Sequence, residues 1–202
     1  MGCHVESPLT RARHAIGGIL FALLAECAHA VAQEPRAAIE ATERSVQFGG
    51  LGPTAGFTAS PSEGDVWRMV GFYVQAARAK GEAEVTLWWV ARLVIMDGDR
   101  RQIRWADSRA CPALVDALGR MMRISPAGFT VSGMQPYAPI PAYLADGVVY
   151  TVWSNSGVQP DGSPVDVTMT GNGGGLAEWG EATLRALEPC WSDDAPPRPR
   201  RS

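Results

Sequence analysis

Between residues 84 and 96 the chain alternates. Val85, Leu87, Trp89, Ala91, Leu93 and Ile95 form an unbroken apolar set, while Glu84, Thr86, Trp88, Val90, Arg92 and Val94 form a mixed one. A period of two marks a strand, because successive side chains leave opposite faces of the backbone. One face of the sheet is therefore read as core and the other as partly covered, with Trp88 and Trp89 pointing in opposite directions. A similar β-branched and aromatic run, VWRMVGFYVQAAR (66–78), precedes it across AKGE. A third, RQIRWAD (101–107), follows across DGDR, where Asp97-Gly98 is a strong hairpin signal.

The period then changes. In ACPALVDALGRMM, Leu114, Val115, Leu118, Met121 and Met122 recur at helical spacing, and Pro112 suits the first turn. Asp107 and Ser108 are the candidate caps at its approach. A Pro-rich stretch, 125–147, reads as a rigid crossover rather than a P-x-x-P ligand, despite Pro136 and Pro139. The second half repeats the order of the first. VVYTVWS (148–154) and PVDVTMT (164–170) flank the turn signal Asp161-Gly162. A final helix then places Leu176, Trp179, Gly180, Thr183, Leu184 and Leu187 on one side, and Pro189 ends it. The predicted fold class is α+β: an antiparallel sheet from two hairpin-then-helix halves, with two helices packed on one face. Residues 63–192 make the single globular domain, preceded by a flexible lead-in (33–62) rich in Gly, Pro, Ser and Thr, which holds a short helix in PRAAIEATERS. A disordered Pro/Arg tail (193–202) follows the domain.

The first 32 residues read as a signal peptide. Arg11 and Arg13 form the charged start, residues 15–25 the apolar stretch, and Ala30 and Ala32 the small residues before a cut at Gln33. Glu26 and His29 interrupt the run well short of the roughly 20 apolar residues of a membrane span. Glu26 also spoils a lipid-attachment reading of Cys27. The expected location is periplasmic or secreted, with no stable membrane span after cleavage.

That cut changes the chemistry left behind. His4, His14 and His29, with Cys3 and Cys27, leave with the leader, so the mature chain keeps no histidine, one lysine (Lys80) and two cysteines, Cys111 and Cys190. In an oxidising compartment an even pair most simply forms one disulfide, here joining the start of the first helix to the end of the second. Its flanking segments, WADSRACPAL and ATLRALEPCW, resemble small exported proteins of unknown function from high-GC Gram-negative bacteria. The resemblance implies no activity.

Several function classes are excluded for such a chain. Without histidine there is no Ser-His-Asp or Cys-His constellation and no His-bearing zinc site. G-x-S-x-G and S-x-x-K are missing as well. DGD (97–99) and DGSPVD (161–166) read as turns, not calcium loops. The glycines at 171 and 173–175 stand between a strand and a helix, where phosphate is often cradled. They fail G-x-G-x-x-G because Leu176 takes the sixth position, and no Lys-Ser/Thr follows. They read as a hinge, and no cofactor is expected. A net charge of −3 argues against nucleic acid. An enzyme would have to rely on a carboxylate pair drawn from Asp65, Asp107, Asp146, Asp166 or Glu178.

The positive feature is the mixed sheet face. Trp67, Met69 and Tyr73 join Trp88 and Arg92 there, with Arg104 as a further member. Trp, Tyr and Arg are enriched at binding hot spots, so this face is a candidate interaction surface. Alternatively, the lead-in or the crossover folds over it. The expected function is a non-enzymatic envelope module that binds another envelope or secreted protein. The rival readings are a carboxylate-dependent glycan hydrolase and an inhibitor of an exported hydrolase.

Overall fold

Three strands follow directly from the alternation. In the computed structural model, which describes residues 36–78, 84–124, 147–158 and 162–198, these are β2 (Val66–Arg78), β3 (Val85–Asp97) and β4 (Arg100–Asp107). β2 and β3 pair antiparallel over their whole length, from Val66 opposite Asp97 to Arg78 opposite Val85. β3 and β4 are closed by Asp97 opposite Arg100, leaving a two-residue turn in which Gly98 has φ +56°. That left-handed conformation is what a tight hairpin requires and what glycine adopts without steric cost. The second hairpin is β5 (Val148–Val158) with β6 (Pro164–Gly171), antiparallel with a register shift between Ser154 and Gly157.

The lead-in is not wholly irregular. Residues Ala55–Pro61 form β1, which pairs antiparallel with both β2 and β5 and so joins the two hairpins. The sheet order is β4-β3-β2-β1-β5-β6. A stretch of Gly, Ala, Ser, Thr and Pro looks like a loop, yet here small size is what the position needs. A Cβ on Gly56 would lie 2.4 Å from both the Trp153 ring and the Val70 carbonyl oxygen. Ala55, Phe57, Thr58 and Ala59 are all buried. Sites covered on both sides select for fit rather than for β-propensity.

Two helices cover one face. α2 (Pro112–Met121) begins with the anticipated proline, and α3 (Gly174–Leu187) starts at the glycine hinge, where Gly174 has φ +63°. Neither Asp107 nor Ser108 caps α2. The N-cap is Cys111, without a side-chain hydrogen bond. The Asp107 carboxylate instead accepts from the Arg109 backbone N–H (2.9 Å), and Ser108 is stitched to Trp89 through backbone and hydroxyl (both 2.9 Å). Leu114, Ala177, Trp179, Leu187 and Trp191 pack on Phe57, Phe72, Leu93, Tyr150 and Val152 of the sheet. The Trp179 indole N–H donates to the Ala117 carbonyl at 3.0 Å, joining helix to helix. The disulfide between Cys111 and Cys190, with Cα atoms 5.8 Å apart, ties the start of α2 to the short 3-10 turn that follows α3.

The chain divides into two compact units, residues 1–44 and 45–202, and the sheet with its two helices lies wholly in the second. In the first, the described part is a helix over 36–44, α1, in which Glu40 lies 3.3 Å from Arg36 and 4.0 Å from Arg44. The expected signal peptide (1–32) and all but the last residue of the Pro-rich crossover (125–147) lie outside the described residues. Ser192 makes a two-way backbone bridge to Trp105, and the Arg198 guanidinium lies 5.9 Å from the centre of the Phe48 ring.

Candidate functional site

Register decides which residues share the sheet face without helices, the expected interaction surface. Trp67, Met69 and Tyr73 lie beside Met96, Val94 and Val90, so they share a face with Trp88 and Arg92. Arg104 does not join them. It lies opposite Leu93, on the helix-bearing face, and donates to the Trp191 carbonyl (3.2 Å), with Glu188 and Asp193 carboxylates each 3.6 Å away.

The face is also covered. Relative exposures are 7% for Trp67, 1% for Tyr73, 7% for Trp88 and 4% for Arg92. Part of the cover is the turn over 46–51. Phe48 packs its ring 6.0 Å from Tyr73 and 5.0 Å from Trp105, the Tyr73 hydroxyl donates to the Val46 carbonyl, and Gln75 donates to the Phe48 carbonyl. Gly49 (φ +65°) permits the turn and lies so close to Gln75 that a Cβ would meet its Oε1 at 2.4 Å. Arg92 stacks 5.7 Å from Trp105, and Arg109 lies 4.6 Å over Trp88. The aromatic–arginine cluster thus spends its surface inside the fold.

Arg109 is itself held by Asp107, whose carboxylate accepts from the guanidinium at 3.0 and 3.1 Å. Burial alone would push the Asp107 carboxyl up. The hydrogen bonds from Arg109 and its positive charge outweigh that and hold it below the usual carboxylate range.

An open site exists on the other face. A groove of about 760 Å³ lies between α2 and the β1-β5-β6 part of the sheet. Its floor is Ala55, Trp89, Val152, Val167 and Met169; its roof is Val115, Leu118, Gly119, Met121 and Met122; Thr54 and Ser154 supply hydroxyls. None of its lining residues is ionisable. Apolar walls with a few polar groups and a volume of this order are features shared with small-molecule pockets. Val115 is 50% exposed, Met122 85% and Val167 38%, so these large apolar side chains are only partly covered or are exposed.

The groove arises from α2's composition. Leu114 and Ala117 turn to the core, whereas Val115, Leu118, Gly119 and Met122 follow i, i+3, i+4, i+7 spacing on a neighbouring stripe. Helical spacing alone merges the two stripes into one broad apolar face. An apolar stripe wider than one packing face was the available signal.

A second, smaller cavity of about 530 Å³ lies where the end of α2 meets the start of α3, lined among others by Arg120, Arg123, Gly175 and Glu178. Neither cavity contains two carboxylates. Of the carboxylates considered for catalysis, Asp65 and Asp166 are exposed on strands or turns, Asp107 is paired with Arg109, Glu178 lines the second cavity, and Asp146 lies outside the described residues. Among the described residues no three His, Cys, Asp or Glu side chains are grouped as a metal site, and no helix is long and apolar enough to cross a membrane.

No protein-family model matches this chain, and no curated protein or solved structure matches it either. The site must be read from its own chemistry.

Proposed function

We propose that this protein is an exported, non-enzymatic binding module of the cell envelope, and that its ligand lies in the apolar groove beneath α2. The leader-like start and the Cys111–Cys190 disulfide support export, since disulfides persist in oxidising compartments. The single observation that carries the binding reading is the groove's combination of size and uncharged lining, with Met122 left 85% exposed at its rim. Concave, mainly apolar clefts with a few polar groups are where the ligands of globular domains bind. The same lining argues against the glycan-hydrolase alternative at this site. That chemistry needs two carboxyl groups about 5–10 Å apart across a cleft, and the groove holds none.

Gly119 gives the test. A Cβ there meets nothing within 4 Å, so Gly119→Leu projects a side chain into the groove without a backbone clash. Calorimetric titration of the full chain with dodecanoate should show saturable binding that falls by at least about tenfold in Gly119→Leu, the loss of roughly 1.4 kcal/mol of contact. Equal binding by both proteins, or no binding of either dodecanoate or an apolar peptide by the wild type, would rule the groove out as the site.

A further inference from the structure

We infer that the groove receives an extended polypeptide segment, which adds to the free edge of β6 as a seventh strand of the sheet. This rests on the groove being the binding site, and it names the class of ligand.

The two edges of the sheet are treated differently. At β4 the Trp105–Ser192 bridge, with hydrogen bonds of 2.7 and 2.8 Å, covers part of the edge with the segment just before the tail. At β6, among the described residues, β5 is the only pairing strand. Among the described residues, every second residue of β6 therefore turns its N–H and C=O outward without a ladder partner. Natural edges are commonly blunted by lysines, prolines or bulges. β6 carries a proline only at its first position and one charge, Asp166; between Val165 and Gly171 the rest is Val, Thr, Met and Gly.

The edge and the groove are continuous. Val167 and Met169 of β6 are both groove floor, and their side chains share the face that carries the helices. A strand laid about 4.8 Å beyond β6 would send alternate side chains to that same face. They would enter between β6 and the rim of α2, where Val115 and Met122 stand exposed. Its other side chains would face the row of Asp166, Thr168 and Thr170, all exposed. Main-chain bonding to an edge with alternate side chains in pockets is one of the general modes of peptide recognition. The lining then dictates the pattern. Groove-facing positions should be apolar, because no charge waits to pair with a polar one. The intervening positions should be polar, with a basic residue favoured beside Asp166.

The probe is an acetylated, amidated nonapeptide of alternating valine and threonine with a lysine at each end. Its control carries N-methyl groups on alternate amides, which keeps the side chains but removes the edge-directed N–H groups. Both are titrated into the full chain, with hydrogen exchange followed at the β6 amides. The expected result is saturable binding of the first peptide and slower exchange in β6. The control should bind at least about tenfold more weakly, as the loss of several net hydrogen bonds would give. Binding of both peptides alike, or unchanged β6 exchange, would overturn strand addition. If dodecanoate binds and the peptide does not, the groove stands and the strand proposal falls. If neither binds, the groove reading itself fails. Protection of β6 that depends on protein concentration in the absence of peptide, with dimers in sedimentation, would assign the edge to a second copy of the chain and likewise overturn the proposal.

Discussion

Gly119 and Gly180 sit in the two helices and meet opposite surroundings. A Cβ on Gly180 would lie 2.3 Å from the Tyr150 ring, so this glycine lets α3 approach the sheet closely. Gly180→Ala should lower stability by about 1–3 kcal/mol, the usual cost of overpacking, although alanine is the better helix former. Gly119 has open space instead, and Gly119→Ala should leave stability unchanged or raise it by up to about 1 kcal/mol. Urea unfolding of the two variants separates the cases, and equal effects would contradict the packing described. Asp107 offers a test by pH. Its folded pKa lies below its ordinary value of 3.8, so its pairing with Arg109 stabilises the fold above that value and the contribution is lost as pH falls through the lowered one. Asp107→Asn should therefore be less stable than wild type at neutral pH, and the gap should close as the pH drops below 3.8. A pH-independent gap would show that the pair is not the cause. At this scale the sequence is a weak guide to burial. Trp88 and Arg92 look like surface hot-spot residues, and only the Phe48 turn and the Arg109 stack show how such groups are used inside the molecule.

Among the elements, those with a clean period were legible. β2, β3 and β4 follow from alternation and from a glycine at the turn, and α3 from apolar residues on one helical side. β1 was hidden because its composition answers to crowding: Gly56 faces Trp153, and small neighbours fit a central strand covered on both sides. Arg104 shows how one residue of register moves a side chain to the other face. The disulfide was legible from the count of cysteines outside the expected leader, and its bearing on stability follows from the length it closes. Cys111 and Cys190 are 79 residues apart. In the chain-entropy picture such a loop contributes at most about 4–5 kcal/mol. Replacing both cysteines with serine should lower the unfolding free energy by several kcal/mol within that bound, measured by urea under non-reducing conditions. A change near zero would mean that helix packing alone fixes the far end of α3.

For the molecule as a whole, the expectation of one α+β sandwich with both helices on one face agrees with the structure, and the reason is redundancy: hairpin signals, helical periods and the cysteine pair all point the same way. The candidate site had no such redundancy. A groove depends on how far α2 stands from β5 and β6, and no local pattern encodes that distance. Its methionines allow a direct reading of where a ligand sits. Met121, Met122 and Met169 line the groove, whereas Met69 and Met96 are buried on the opposite sheet face. In methyl spectra of ¹³C-methionine protein titrated with the valine–threonine nonapeptide, Met121, Met122 and Met169 should shift saturably while Met69 and Met96 stay unmoved. Shifts confined to Met69 and Met96, or no shift at any of the five at saturating peptide, would contradict binding in the groove.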